Sequence, residues 1–307
     1  MNILLTGASG FIGRNYLLKS KFSHEANTCI YYQSNTFPKW SEEQKNNSIT
    51  IQKIDLTSLQ EIESVLGKDN SYDICVYLAA NGDPGYSFEH PVEDLYKNTV
   101  ALVNLCSCIH AKKFIYFSSG AVYEGINGYV NPDLKVSPKL PYAISKLSSE
   151  NYLRYFQSVK KIEKISIIRF FGAYGPYEAG RKIFGKLVKQ FGILRHPDFI
   201  IKGDGENLID AIYIDDAVTA IDNLIQDPSP PEILDLSSGN PLTITELVTK
   251  SAKVFSISPI ISHKGFVPEY IKFVSNDDTY RKRYGIISKI SLDEGLRLFY
   301  QYLIDQT

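Results

Sequence analysis

The chain has 307 residues, 44% hydrophobic and 22% charged, enough to bury a sizeable core in one large globular unit or two closely joined ones. A formal net charge of -1 gives no field for holding nucleic acid or an anionic membrane surface, so small molecules are the expected partners. No apolar run reaches spanning length and no secretory leader pattern opens the chain, which makes a cytoplasmic location the expectation.

Through the first half, short apolar, β-branched runs alternate with longer amphipathic stretches, the pattern of βαβ units. Strands are predicted near 2–6, 28–33, 49–53, 73–79, 113–118 and 164–169. Helices are predicted near 10–22, 57–67, 91–111 and 141–159. Right-handed crossovers through such elements give an α/β fold with a doubly wound parallel sheet. After Arg169 the texture changes: Gly172, Gly175, Pro176, Gly180 and Gly185 crowd together and the elements shorten, which predicts a smaller C-terminal α+β domain. Ile212 to Ala220 reads as a strand end feeding a helix that returns to the first domain. The expected division is 1–169 plus about 211–237 against about 170–210 plus 238–307.

Cys29, Cys75, Cys106 and Cys108 lie in apolar stretches without metal-ligand spacing and read as free thiols. The five histidines share no helix face, so no metal site is expected.

The first predicted strand runs straight into Gly7-Ala-Ser9-Gly10-Phe11-Ile12-Gly13-Arg14, which opens a helix. In that position glycines allow a tight turn and let backbone N–H groups approach a pyrophosphate at the helix N-terminus, so the first domain is read as dinucleotide-binding. The end of the second strand, Tyr31-Tyr-Gln33-Ser34-Asn35, lacks the acid that normally takes the ribose 2′-hydroxyl of NAD. With Ser34 there and Arg14 beside the loop, NADP is favoured over NAD.

The Gly-x-x-Gly-x-x-Gly spacing resembles that of extended short-chain dehydrogenases/reductases, the NAD-dependent epimerase/dehydratase group that modifies nucleotide sugars. Further motifs match in order: Asp55-Leu56, Leu78-Ala79-Ala80, Ser118-Ser119 with Val122-Tyr123, and Tyr142-Ala-Ile-Ser-Lys146. The resemblance implies Ser119, Tyr142 and Lys146 as catalytic groups. It further implies a Rossmann sheet, cofactor contacts at Asp55, Leu56, Leu78, Ala79, Ala80 and Asn98, a substrate-binding C-terminal domain and a homodimer; Asp55 reads alternatively as a helix N-cap. Tyr142 and Lys146, four apart on a helix, share one face. The implied reaction is hydride transfer between a carbinol carbon and a nicotinamide, with Tyr142 moving the hydroxyl proton and Ser119 bonding the same oxygen. For that work the phenol is expected to be lowered about three units from its usual 10 by the Lys146 ammonium and the nicotinamide.

The expected substrate contacts are Asn81, Ser119, Gly120, Ala121, Gly172, Arg181, Lys182 and Lys202. Several depart from the family pattern. Gly120 and Ala121 stand where dehydratases of the group carry Asp-Glu, which argues against elimination. Gly172 replaces the asparagine of the Arg-x-x-Asn-x-Tyr-Gly-Pro turn, and Ile209 replaces the arginine that grips the diphosphate. Arg181, Lys182, Lys186 or Lys202 would then supply the positive charge. The leading expectation is a 4-epimerase, 4-dehydrogenase or 4-keto reductase acting on a nucleotide sugar. A reductase of another carbonyl compound is the alternative, and a non-catalytic dinucleotide sensor stands third.

Overall fold

The computed structural model describes residues 1–31, 48–266 and 271–306. They fall into two compact units: Met1–Glu124, Pro132–Phe170 and Val218–Asp235 form the first, and Gly125–Asn131, Phe171–Ala217 and Leu236–Thr307 the second.

The first unit is built on seven strands: β1 (Asn2–Thr6), β2 (Ala26–Tyr31), β3 (Ile49–Lys53), β4 (Asn70–Tyr77), β5 (Ile109–Ser119), β6 (Ile162–Phe170) and β7 (Ile233–Leu236). Their spatial order is β7-β6-β5-β4-β1-β2-β3, and every pairing from β6 to β3 is parallel. Ile3, Leu4, Leu5, Phe114, Ile115, Ile167 and Ile168 are fully buried, as strands covered on both faces require. The order reverses between β1 and β4, and the crevice beyond the carboxyl ends of these two strands is where such sheets take their ligands.

Helices α1 (Phe11–Lys19) and α2 (Leu59–Leu66) follow β1 and β3 as the periodicity predicts. The helix predicted over 91–111 is instead three pieces: α4 (Pro91–Leu95), a π turn over Tyr96–Val100, and α5 (Ala101–Cys108). It ends early because Ile109 to Ala111 pair with Asn70 to Tyr72, which lengthens β4 and β5 beyond their predicted starts. A short helix α3 (Pro84–Glu89) also forms, capped by Asp83, whose carboxylate accepts from the Gly85 and Tyr86 backbone N–H groups. Helix α6 (Pro141–Ser158) matches its predicted span. The predicted continuation of β2 through residue 33 lies outside the described residues. All four cysteines are buried and free.

The second unit carries short strand pairs, among them Asp198–Lys202 with Ile260–Lys264 and Leu208–Ile209 with Leu242–Thr243. Its longer helices are Ile244–Val254, opened by a Thr243/Glu246 capping box, and Leu292–Asp305, capped by Ser291. Within that last helix, the glycine at position 295 has a packing reason. A Cβ on Gly295 would strike the Tyr174 hydroxyl and lie 2.9 Å from its ring carbon Cζ.

Candidate active site

The glycine loop is a close-packed cradle. Gly7 has φ of +67°, and a Cβ there would lie 2.8 Å from the Ala79 backbone nitrogen. A Cβ on Gly13 would strike the Gly7 carbonyl oxygen and stand 2.8 Å from Ala8 Cα, so glycine lets the first turn of α1 press against the loop. Thr6 Oγ1 accepts from both Leu78 and Ala79 N–H at 3.2 Å, tying the loop after β4 to the end of β1. A cleft of about 310 Å³ opens here, lined by Gly7, Ser9, Gly10, Asp55, Leu56, Leu78, Ala79 and Ala80.

Thr57 and Lys97 also line the cleft, and sequence reasoning did not single them out. Phe11 and Ile12 are half-buried at the start of α1, and Gly13 is buried. Arg14 Nε donates to the Ser9 carbonyl at 2.7 Å, which bends that side chain back onto its own loop. The N-cap of α2 is Ser58, not Asp55. The Asp55 carboxylate instead accepts from Thr57 N–H and Oγ1 at 2.9 and 2.7 Å, which holds the turn beside the cleft. Ser34 lies outside the described residues. The missing Cβ atoms of the loop, its free helix N-terminus and an acid at the far wall suit a dinucleotide.

At the end of β5 the strand's alternation sends two adjacent serines to opposite environments. Ser118 Oγ donates to Glu150 Oε1 at 2.6 Å in the core, whereas Ser119 hydrogen-bonds the Tyr142 phenol. Ser119 Oγ also accepts from Ala121 N–H at 3.1 Å, so it caps the 3-10 turn Gly120–Tyr123. Tyr142 and Lys146 lie one turn apart on α6, and both are buried. Lys146 Nζ donates to the Phe117 carbonyl at 2.5 Å and stands 4.5 Å above the Tyr116 ring.

The electrostatics differ from the sequence expectation. Burial holds the Tyr142 phenol above its ordinary value, the Ser119 hydrogen bond pulls it down, and the Asp94 charge adds to the rise. Lys146 is the group that falls: burial takes its ammonium down to about 7, against the opposing charges of Glu150 and Asp94. The expected lowering of Tyr142 by Lys146 is therefore corrected for the protein alone, because desolvation of the phenol outweighs what stands near it.

Beneath the pair lies a network that the sequence did not reveal. Arg169 donates to both Glu150 carboxylate oxygens, at 3.2 and 2.9 Å, and to the Tyr123 hydroxyl at 3.0 Å. Tyr123 in turn donates to Asp235 at 2.8 Å. Asp94, also missed, binds Asn81, Asn98 and Ser145. The four-residue spacing of Asp94 and Asn98 on an apolar helix was the available signal.

The expected substrate contacts are spread over both units. Asn81 turns its amide inward: Nδ2 donates to Asp83 O and Asp94 Oδ1, and Oδ1 accepts from Asp83 N–H. Gly120 is buried and Ala121 packs against Leu140, Tyr142 and Ala143. Gly172, Arg181, Lys182 and Lys202 belong to the second unit. Gly172 has φ of +133° and its carbonyl accepts from Ile212 N–H, whereas Arg181 and Lys202 are exposed and Lys182 is the N-cap of Ile183–Leu187. That unit holds a cavity of about 590 Å³ on which Ile209 lies, and the cations on its wall are Lys250, Lys253 and Lys289. Among the described residues, no group of three or more His, Cys, Asp or Glu is arranged to hold a metal, and no helix is long and apolar enough to cross a membrane.

Comparison with known proteins adds the lineage. The family model described as "NAD dependent epimerase/dehydratase family" matches residues 3–236. The chain is 27% identical over 309 residues to a UDP-glucuronate 4-epimerase of Thermodesulfobacterium geofontis, covering 96% of this chain and 93% of that protein. Among solved structures, a UDP-glucose 4-epimerase of Thermotoga maritima superposes with a TM-score of 0.82 at 24% identity, over 100% of this chain and 99% of the other. A UDP-N-acetylglucosamine 4-epimerase of Methanobrevibacter ruminantium gives 0.81 at 25% identity, over 100% and 99%. The leaning toward NADP finds no support in the family description, which names NAD. The half-buried serine and the buried tyrosine and lysine beside a glycine cradle thus sit in a chain that belongs to the NAD-dependent epimerase/dehydratase family.

Proposed function

We propose that the protein is an NAD-dependent 4-epimerase of a uridine-diphosphate sugar. The observation that carries this reading is the convergence of half-buried Ser119 with the buried Tyr142 and Lys146 at the carboxyl edge of the sheet, with the first two hydrogen-bonded. The relatives named as UDP-glucuronate and UDP-glucose 4-epimerases support it. Gly120 and Ala121 supply no acid or base next to Ser119, which weighs against elimination.

NAD would be held by the glycine loop, by Asp55 and Leu56, and by Leu78 to Ala80. Bound there, it would supply the hydride acceptor and donor. The chain's own groups handle the proton. Ser119, whose oxygen already accepts from Ala121 N–H, offers its hydroxyl hydrogen to the sugar oxygen at C4. Tyr142 takes that oxygen's proton as the carbinol becomes a ketone and returns it when the ketone is reduced on its other face. Lys146, fixed on the Phe117 carbonyl, places a positive charge one helical turn from the phenol when protonated.

Incubation with UDP-glucose, UDP-glucuronate or UDP-N-acetylglucosamine and NAD, followed by proton NMR of the sugar, tests this. A 4-epimer formed without net NADH supports the proposal. A keto product with stoichiometric NADH makes the protein a 4-dehydrogenase. No turnover of any nucleotide sugar overturns the sugar reading and favours a reductase of another carbonyl compound, which isoleucine at position 209 makes the next candidate.

A further inference from the structure

Asp94 is fully buried, and among the described residues no lysine, arginine or histidine side chain pairs with it. Its carboxylate is nonetheless fully engaged. Oδ1 accepts from Asn81 Nδ2 at 2.7 Å and from Asn98 Nδ2 at 3.0 Å, and Oδ2 accepts from Ser145 Oγ at 2.7 Å.

Those three donors come from three elements around the site: the loop after β4, the π turn, and the stretch of α6 between Tyr142 and Lys146. The ties are reinforced locally. Asn98 Oδ1 accepts from Asn81 N–H at 2.7 Å, Asn98 Nδ2 donates to Ser145 Oγ at 3.0 Å, and Thr99 Oγ1 donates to the Ser145 carbonyl at 2.9 Å. A π turn frees backbone from the regular ladder and is commonly found at functional sites. Here it carries Asn98, which reaches across to α6.

A buried carboxylate without a basic partner is costly unless hydrogen bonds or a neighbouring charge compensate it. The hydrogen bonds are met by neutral groups, and the carboxylates of Glu150 and then Asp94 favour the ammonium of Lys146 against its burial. Around Lys146 stand Glu150 on its own helix, Asp94 from α4, Tyr142 one turn back, and Tyr116 and the Phe117 carbonyl from β5.

We infer that Asp94 is a positioning residue for the Tyr142–Lys146 pair: it clamps the Ser145 turn of α6, which lies between them, to the loop after β4 and to the π turn, and sets a carboxylate against the residue that precedes Lys146. The clamp rests on the roles proposed above for Tyr142 and Lys146; the charge balance does not depend on the substrate.

The test uses the full chain saturated with NAD. Competitive acetylation with acetic anhydride over about pH 5 to 10, read by peptide mass spectrometry, follows the protonation of Lys146. Asp94→Asn is expected to move the Lys146 midpoint down by about one unit, the size of effect that loss of a nearby opposite charge produces. Ser145→Ala keeps the charge and releases the clamp. It is expected to leave the midpoint in place and to lower kcat about tenfold, a loss of positioning with little change in KM. An unmoved midpoint in Asp94→Asn, or wild-type turnover in Ser145→Ala, overturns the inference. Should Asp94→Asn not fold, the Ser145→Ala kinetics decide. If the parent protein turns over no nucleotide sugar, the proposed function fails while the midpoint in Asp94→Asn still decides the role of Asp94.

Discussion

Replacing Arg169 by methionine removes the cation of a pair whose side chains are 4% and 0% exposed. Glu150 then keeps the Ser118 hydroxyl at 2.6 Å and loses both guanidinium donors, and Tyr123 loses the donor at 3.0 Å. Removing one partner of a buried pair strands the other charge and costs about 3–5 kcal/mol. At roughly 2–4 °C per kcal/mol, the melting temperature of the first unit should fall by roughly 6 to 20 °C. Circular dichroism melts at fixed NAD and protein concentration read this directly. The double variant Arg169→Met/Glu150→Leu removes both charges and should recover most of the loss, since well-packed apolar replacements of buried pairs are often neutral or stabilising. An Arg169→Met variant within about 1 kcal/mol of the parent would refute the reasoning, because the pair would then be solvated or replaceable.

Lys146 sets up a pH dependence of stability. Its folded value is lowered from 10.5 to about 7, so between these limits the unfolded chain binds the extra proton and stability rises with pH. Lys146→Met should therefore be inactive yet melt higher than the parent near pH 6, with the gap closing as pH approaches about 10; no gap at low pH would mean that Lys146 is solvated. Gly13→Ala places a methyl on the Gly7 carbonyl and should weaken NAD binding by at least about tenfold in isothermal titration calorimetry, about 1.4 kcal/mol. Gly295→Ala meets the Tyr174 ring and should lower stability by about 1–3 kcal/mol in urea melts without changing NAD affinity. Ser118→Ala and Ser119→Ala should separate cleanly: loss of turnover of about a hundredfold or more for Ser119, and mainly a stability loss for Ser118, whose hydroxyl serves Glu150.

Much of this was legible in the chain, and the reasons are local. Alternating apolar runs and 3.6-residue periodicity mark β1 through β6 and α1, α2 and α6, because burial on a sheet or a helix face needs only neighbouring residues. The glycine triplet after β1 is legible because a left-handed turn and a close backbone approach exclude any side chain. Tyr142 and Lys146 are legible because four-residue spacing on a helix is itself a geometric statement. Where local reasoning failed, partners distant in sequence decided. The long helix breaks at Tyr96–Val100, and α5 gives way to β5 at Ile109 because that strand is paired with β4. The side-chain amide of Asn81 is taken up by Asp83 and Asp94 and its backbone N–H by Asn98, and two of these partners lie more than ten residues on.

What the sequence determined by itself was therefore the order of elements, the cradle and the candidate side chains Ser119, Tyr142 and Lys146. Only the tertiary structure decided their charge states and supports. It sends Ser118 to Glu150 and Ser119 to Tyr142, sets Arg169 on Glu150 nineteen residues away, and brings Asp94 to Ser145 fifty-one residues on. It also lowers Lys146 rather than Tyr142. Desolvation and long-range charge depend on everything packed around a group, and no window of neighbouring residues contains that information.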